Sequence, residues 1–303
     1  MFVYLPVAEM SVAAESILLL GGVVGFLSGV FGVGGGFLTT PFLIFLGIPP
    51  AVAVGTQASQ LVASSVTGVL GHWHKKNVDL KIGVVMLIGS AGGTLIGIGI
   101  FRLLQHIGQI DLAISLLYVF LLGAVGSMML LESTKSLLNR NKSRKDFKPL
   151  YQRPFLRNLP YPVKFPKSRL YISVLLPGGI GFVGGLLVAI MGIGGGFLLV
   201  PAMIYILGMP SLLVSGTSLF QVMVTTFFAT IMHSVASETV DLVLGLMLII
   251  GGVVGAQLGI RVSTHIRGAN ARFLLAFLVL AVSIALAAEL FLEPSDLYTL
   301  QKR

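Results

Sequence analysis

Two glycine tracts carry the chemistry that this sequence offers. Phe31 to Phe37 reads FGVGGGF and Met191 to Phe197 reads MGIGGGF, so Gly32, Gly34, Gly35 and Gly36 have counterparts in Gly192, Gly194, Gly195 and Gly196. Interior glycines disfavour helix by about 0.5–1 kcal/mol each relative to alanine. Both tracts lie between strongly apolar runs with no charge to mark a surface loop, which predicts helices that break and restart. Where a helix restarts at Phe37 or Phe197, its first amides lack partners and its dipole presents about half a positive charge. Backbone alone can therefore hold an anion there, and successive glycine amides add a concave cradle.

Each tract is followed by a proline, Pro41 or Pro201, and then by a polar helix. GTQASQ in one half (Gly55 to Gln60) stands opposite GTSLFQ in the other (Gly216 to Gln221), and the Gly-Thr pairs at Thr56 and Thr217 and the matched Gln60 and Gln221 are the better candidate ligands among these small polar residues. A glutamine offers two donors and an acceptor and must be satisfied in an apolar setting. His72 and His233 end these helices, and imidazole could relay protons. Their polar neighbours favour interfacial, solvated rings. Asp79 and Asp241 open the next helices, where a carboxylate caps free amides. A Ser/His hydrolase built on Ser215 and His233 would need a recognisable nucleophile turn, which Ser215 lacks. A dinucleotide reading of the glycines fails because an apolar span, not a strand, precedes them.

The elements that must position these groups are membrane helices. The chain has 303 residues, 55% hydrophobic and 10% charged, with a mean hydropathy of +0.98. Several apolar runs approach the roughly 18–20 residues that cross a bilayer. The formal charge of +9 is local, because 11 of the 20 Lys and Arg fall between Lys135 and Arg169. That distribution fits membrane topology rather than nucleic-acid binding. With no cysteine, thiolate metal sites and Cys nucleophiles are excluded. No cofactor or metal is indicated. The spans contain hardly any charged residue, which disfavours a carboxylate proton relay and leaves backbone and neutral side chains to select a solute.

The expected fold is an all-α integral membrane protein of about ten hydrophobic segments in two duplicated halves. Residues 1–131 form the first repeat, 132–169 a basic cytoplasmic linker and 170–303 the second repeat. The expected spans run from Ser16 to Phe31, Phe37 to Leu46, Ala51 to Leu70, Leu80 to Phe101 and Ile110 to Leu131, then from Ile180 to Met191, Phe197 to Leu207, Leu212 to Met232, Leu242 to Val262 and Arg272 to Leu292. Gly89, Gly93 and Gly97 match Gly251, Gly255 and Gly259 at the spacing of close helix packing. If the short segments 37–46 and 197–207 each cross, every half has five crossings and the repeats are inverted. If they are re-entrant, each half has four and the repeats are parallel. Placing Lys75, Lys76, the linker and the Arg261 to Arg272 cluster on one side prefers inversion.

The paired FGVGGGF and MGIGGGF tracts, the prolines after them, and GTQASQ and GTSLFQ over two halves joined by a basic loop resemble the TauE/SafE sulfite exporter family. The resemblance covers about Ser16 to Leu292. It implies a multi-pass protein of the bacterial inner membrane that moves a small sulfur-containing anion such as sulfite, thiosulfate or sulfoacetate. It also implies a site near Gly32 to Gly36 and Gly192 to Gly196, with Thr56, Gln57, Gln60, Thr217, Ser218 and Gln221 beside it. The expected function is a secondary transporter, not an enzyme, with an anion channel as the alternative. Its partners would be the solute and membrane lipid, with room for a homodimer. Leu219 and Phe220 replace Ala58 and Ser59, so the two halves contribute unequally.

Overall fold

A computed structural model of the chain describes residues 2–31, 36–138, 160–194, 196–263 and 268–291. Among them are ten α-helices: α1 (Ala14–Phe31), α2 (Gly36–Phe45), α3 (Pro50–His74), α4 (Leu80–Ile107), α5 (Ile110–Leu138), α6 (Leu175–Met191), α7 (Gly196–Tyr205), α8 (Ser211–Met232), α9 (Leu242–Ser263) and α10 (Gly268–Phe291). These are the ten segments expected. Five of them, α4, α5, α8, α9 and α10, are long and apolar enough to cross a bilayer. The protein is an all-α, multi-pass membrane protein.

Local chemistry sets the ends of these helices. Pro50 occupies the first turn of α3, where its missing N–H costs nothing. Gly47 and Gly208, at φ +80° and +71°, turn the chain after α2 and α7 in the left-handed region that a side chain would strain. Gly108 closes α4 the same way.

Two short β-hairpins were not expected. Phe2–Leu5 pairs with Met10–Ala13 (β1 and β2) and Pro162–Phe165 pairs with Leu170–Ser173 (β3 and β4), each through a four-residue turn. The second hairpin occupies the end of the segment read from sequence as linker and runs into α6. The middle of that segment, 139–159, lies outside the described residues.

The hairpins mark the two ends of the helix assembly. At one end, Val7 N–H donates to Asp241 Oδ2 at 3.0 Å, Asp241 N–H donates to Thr56 Oγ1 at 2.9 Å, and Met10 approaches Gly47. At the other end, Ser168 N–H donates to Asp79 Oδ2 at 3.1 Å and Asp79 N–H donates to Thr217 Oγ1 at 2.9 Å. The start of α1 and the close of α2 are therefore at the same end, so these two helices run in opposite directions.

Helix directions follow from the close approaches. A Cβ at Gly251, Gly255 or Gly259 would meet the carbonyls of Leu18, Gly22 and Phe26 at 2.4, 2.0 and 2.2 Å, so α1 and α9 run parallel. Gly89, Gly93 and Gly97 track Gly178, Phe182 and Leu186 in the same way, so α4 and α6 are parallel as well. By contrast α3 and α8 run antiparallel: Gly55 lies against Thr239, Gly68 against Leu219, and Gly216 against Asn77. Helices α5 and α10 are antiparallel too, with Gly126 on Val279 and Gly123 on Ser283.

The glycines of the four-apart rows are thus packing residues, with backbone against backbone. Gly93→Ala or Gly255→Ala, each placing a methyl 2.0 Å from a fixed carbonyl, is expected to lower stability by about 1–3 kcal/mol or more. Gly99→Ala, with nothing within 4 Å, should stay within about 1 kcal/mol of the parent. Thermal melts of the detergent-purified variants check the contrast.

Candidate functional site

The two restarted helices begin beside one another. Phe37, the second residue of α2, stacks on Phe197, the second residue of α7, with ring centroids 4.6 Å apart and planes inclined by 17°. Both rings are buried. Since the first amides of a helix have no partner within it, two positive helix ends converge on this stack. Leu61 of α3 fills the space between them: a Cβ at Gly36 or at Gly194 would lie 2.8 Å from its Cδ1. Leu61 stands eleven residues into α3, at a depth of about 16 Å.

Carbonyl groups near the breaks are engaged, which matters for the sign of the local field. Helix α6 ends at Met191, and Gly192 leaves it at φ +66° with its N–H bonded to Val188 O. Tyr118 of α5 donates its hydroxyl to Met191 O at 2.6 Å, and His233 Nε2 lies 2.9 Å from Ala189 O. A carbonyl cannot donate, so Nε2 carries the hydrogen. Gln57 of α3 donates from Nε2 to Gly36 O and accepts from the Thr40 hydroxyl. At the end of α6 the Ala189 and Met191 carbonyls are occupied, and the starts of α2 and α7 meet at the Phe37–Phe197 stack, an arrangement that favours negative charge.

Beside the first restart is a cavity of about 30 Å³ between α1, α3 and α9, bordered by Ser28, Gly36, Thr39, Gln60 and Ser64 among apolar residues. It has room for about one water. Gln60 donates from Nε2 to Leu248 O at 3.2 Å, while its Oε1 is buried with no protein partner. The Oε1 of the matched Gln221 is buried and unpartnered as well. Such oxygens call for a donor from water or from a solute.

Other candidates among the described residues are already engaged by the protein. Thr56 and Thr217 are fully buried, but their hydroxyls accept the amides of Asp241 and Asp79 at opposite ends of the molecule. Ser218 bonds back to Ser215 O within its own helix. Gly196 N–H bonds to Gly194 O at 2.7 Å, and Gly192 packs against Val54 O, 2.7 Å from where a Cβ would be. Gly32, Gly34, Gly35 and Gly195 lie outside the described residues. Asp79 and Asp241 each accept two amides of the following helix, as an N-cap should.

His233 corrects an expectation. It is fully buried rather than solvated, because the chain continues past α8 as a π-helical turn, His233–Ser237, which folds the ring inward against Phe101. The Ser215 and His233 pairing also fails on distance: eighteen residues of helix separate them by about 27 Å.

The sequence pattern of the sulfite exporter TauE/SafE family matches residues 17–286. The chain belongs to this family. It is 31% identical over 278 residues to the probable membrane transporter protein YjnA of Bacillus subtilis (strain 168), covering 89% of this chain and 98% of that protein. The probable membrane transporter protein YunE of the same strain is 27% identical over 252 residues, 80% and 86% of the two chains. A probable membrane transporter protein of Xylella fastidiosa (strain 9a5c) is 26% identical over 268 residues, 88% and 91%. No solved structure matches the chain significantly. The chain is thus a membrane transporter.

In this TauE/SafE chain, sequence reasoning missed three residues at the centre: Leu61, Thr40 and Tyr118. Leu61 is one leucine among many and carries no signal. Thr40 follows the tract by four residues and is buried, so its neighbourhood to the glycines could have flagged it. Tyr118 sits mid-span in an apolar helix, where a hydroxyl that must find a partner is itself a signal.

Proposed function

We propose that the protein is a secondary carrier for a small sulfur-containing oxyanion or organosulfonate, of the sulfite, thiosulfate or sulfoacetate type, in the cytoplasmic membrane. The observation that carries this reading is the convergence of the α2 and α7 amino-termini at the Phe37–Phe197 stack, with neighbouring carbonyls capped by Tyr118, His233 and Gln57. The proposed ligands are Gly32, Gly34, Gly35, Gly36, Phe37, Gln57 and Gln60 with Gly192, Gly194, Gly195, Gly196, Phe197 and Gln221. Thr56, Thr217 and Ser218 support the frame.

Alternating access fits two further features. Matched helices run antiparallel, α3 with α8 and α5 with α10, as inverted repeats require. Beside the first restart, the pocket among α1, α3 and α9 has space for about one water, and a carrier of this design would widen there to exchange solute. A capped half-helix pair holds a small anion without a fixed cation, which leaves release easy.

Proteoliposomes containing the purified protein test the reading. Saturable uptake of labelled sulfite, thiosulfate or sulfoacetate, accelerated by excess unlabelled solute on the far side, is the expected result. Flux without such counterflow would indicate a channel, and no flux with any of the three would remove the substrate assignment.

A further inference from the structure

The two ends of the molecule use the same backbone turns with opposite charge. After α3 the chain turns through Lys76 at φ +56°, and at the matched position after α8 it turns through Glu238 at +53°. The β3–β4 hairpin turns through Arg169 at +53°, and the β1–β2 hairpin through Glu9 at +52°. The left-handed conformation belongs to the shared turns. The charge does not, so one end is basic where the other is acidic.

At the basic end these turns enclose a cleft of about 130 Å³, lined by Trp73, Lys76, Val78, Leu80 and Lys167. Lys167 is held in place, since its Nζ donates to Val78 O at 2.8 Å and the next residue, Ser168, is tied to Asp79. An ammonium has two further hydrogens to offer. Trp73 and Leu80 are 49% and 44% exposed, and they continue the cleft onto the outer face of α3 and α4. The site is thus half cationic and half apolar, with an indole where membrane-interface aromatics sit.

We propose that this cleft binds the phosphate of an anionic glycerophospholipid. The headgroup lies between Lys76 and Lys167, and the glycerol and upper acyl chain lie against Trp73 and Leu80. A free phosphate would use the two lysines but has no use for the apolar half. The matched turns at the other end carry Val7 and Glu238 at the lysine positions, so the lipid is selected at one end only. The site therefore also anchors the second hairpin and reports which leaflet the basic end faces.

Trp73 is the single tryptophan, so its fluorescence reports on this cleft alone. The experiment places the full chain in phosphatidylcholine vesicles with a minor share of brominated phosphatidylglycerol or of brominated phosphatidylcholine. The expected result is excess quenching by the brominated phosphatidylglycerol, corresponding to a local enrichment of roughly tenfold or more for two lysines near the surface. K76Q/K167Q should equalise the two lipids, and K76R/K167R should restore the difference. Equal quenching in the parent protein, or excess quenching that survives K76Q/K167Q, would overturn the proposal. So would reversal of the excess by added inorganic phosphate, which would make the cleft a free-anion site.

Discussion

Gly194→Val is expected to stop solute flux while leaving the protein inserted and folded. The position is buried beside the start of α7, where an added Cβ would come within 2.8 Å of Leu61 Cδ1 and 3.1 Å of Val222 Cγ1. A lone methyl can be met by a shift of the leucine tip, so Gly194→Ala should be mild. Valine adds two more methyl groups in the space that Leu61 already shares with Gly36. Overpacking of this kind costs about 1–3 kcal/mol when absorbed by the fold. Here the displaced side chain is pressed toward Gly36 at the first restart, so the packed centre becomes harder to open. We expect flux in proteoliposomes to fall by roughly a hundredfold, equivalent to about 2.7 kcal/mol on the transport barrier. The thermal midpoint should move by only a few degrees. Leu61→Ala in the Gly194→Val background returns the lost volume and should recover part of the flux. Parent-level flux in Gly194→Val would separate the glycine tract from the pathway.

What could be read from sequence depended on whether a residue's partner is near in the chain. The rows Gly89, Gly93, Gly97 and Gly251, Gly255, Gly259 announce close packing by spacing alone. Nothing in the spacing names α6 and α1 as the partners, because the pattern encodes how near a neighbour comes and not which one it is. Asp79 and Asp241 were legible as N-caps for the same local reason, since the capped amides are two and three residues on. Their second task was not, because Val7 lies 234 positions from Asp241 and donates through its backbone.

Thr56 and Thr217 show the converse. Matched hydroxyls in an apolar helix suggest a ligand site, and nothing in their spacing shows that they also accept the distant Asp241 and Asp79 amides. The hairpins escaped because four-residue strands are too short for alternation to register. Four of the glycine positions on which the anion reading was built lie outside the described residues. The proposed site therefore rests on Gly36, Phe37, Gly194, Phe197 and the capped carbonyls around them.

Asp79→Ala should destabilise the protein more than any single packing change proposed above. The carboxylate is almost fully buried and accepts four hydrogen bonds, from Lys81 N–H, Ile82 N–H, Ser168 N–H and the Ser168 hydroxyl. Its own amide reaches across to Thr217. The side chain thus joins the start of α4 to the middle of the second hairpin, while the backbone of the same residue ties them to the polar helix α8. Removing it leaves buried donors without an acceptor, at about 1–3 kcal/mol for each group that water cannot reach. We expect a loss of roughly 3–5 kcal/mol, a marked drop in the detergent melt, and faster amide exchange across residues 162–173. Asp241→Ala removes three acceptor contacts and should cost less, with exchange rising in residues 2–13 instead. Asparagine is the discriminating variant. Its carbonyl oxygen can keep the helix cap, but its NH2 group would face the Ser168 amide, donor against donor. Asp79→Asn should therefore lose the hairpin contact while retaining the start of α4. Protection that falls in the hairpin but not in α4 supports a latch with two separable halves, whereas an unchanged hairpin in Asp79→Asn would mean that apolar packing of Phe165 and Leu170 holds it without the carboxylate.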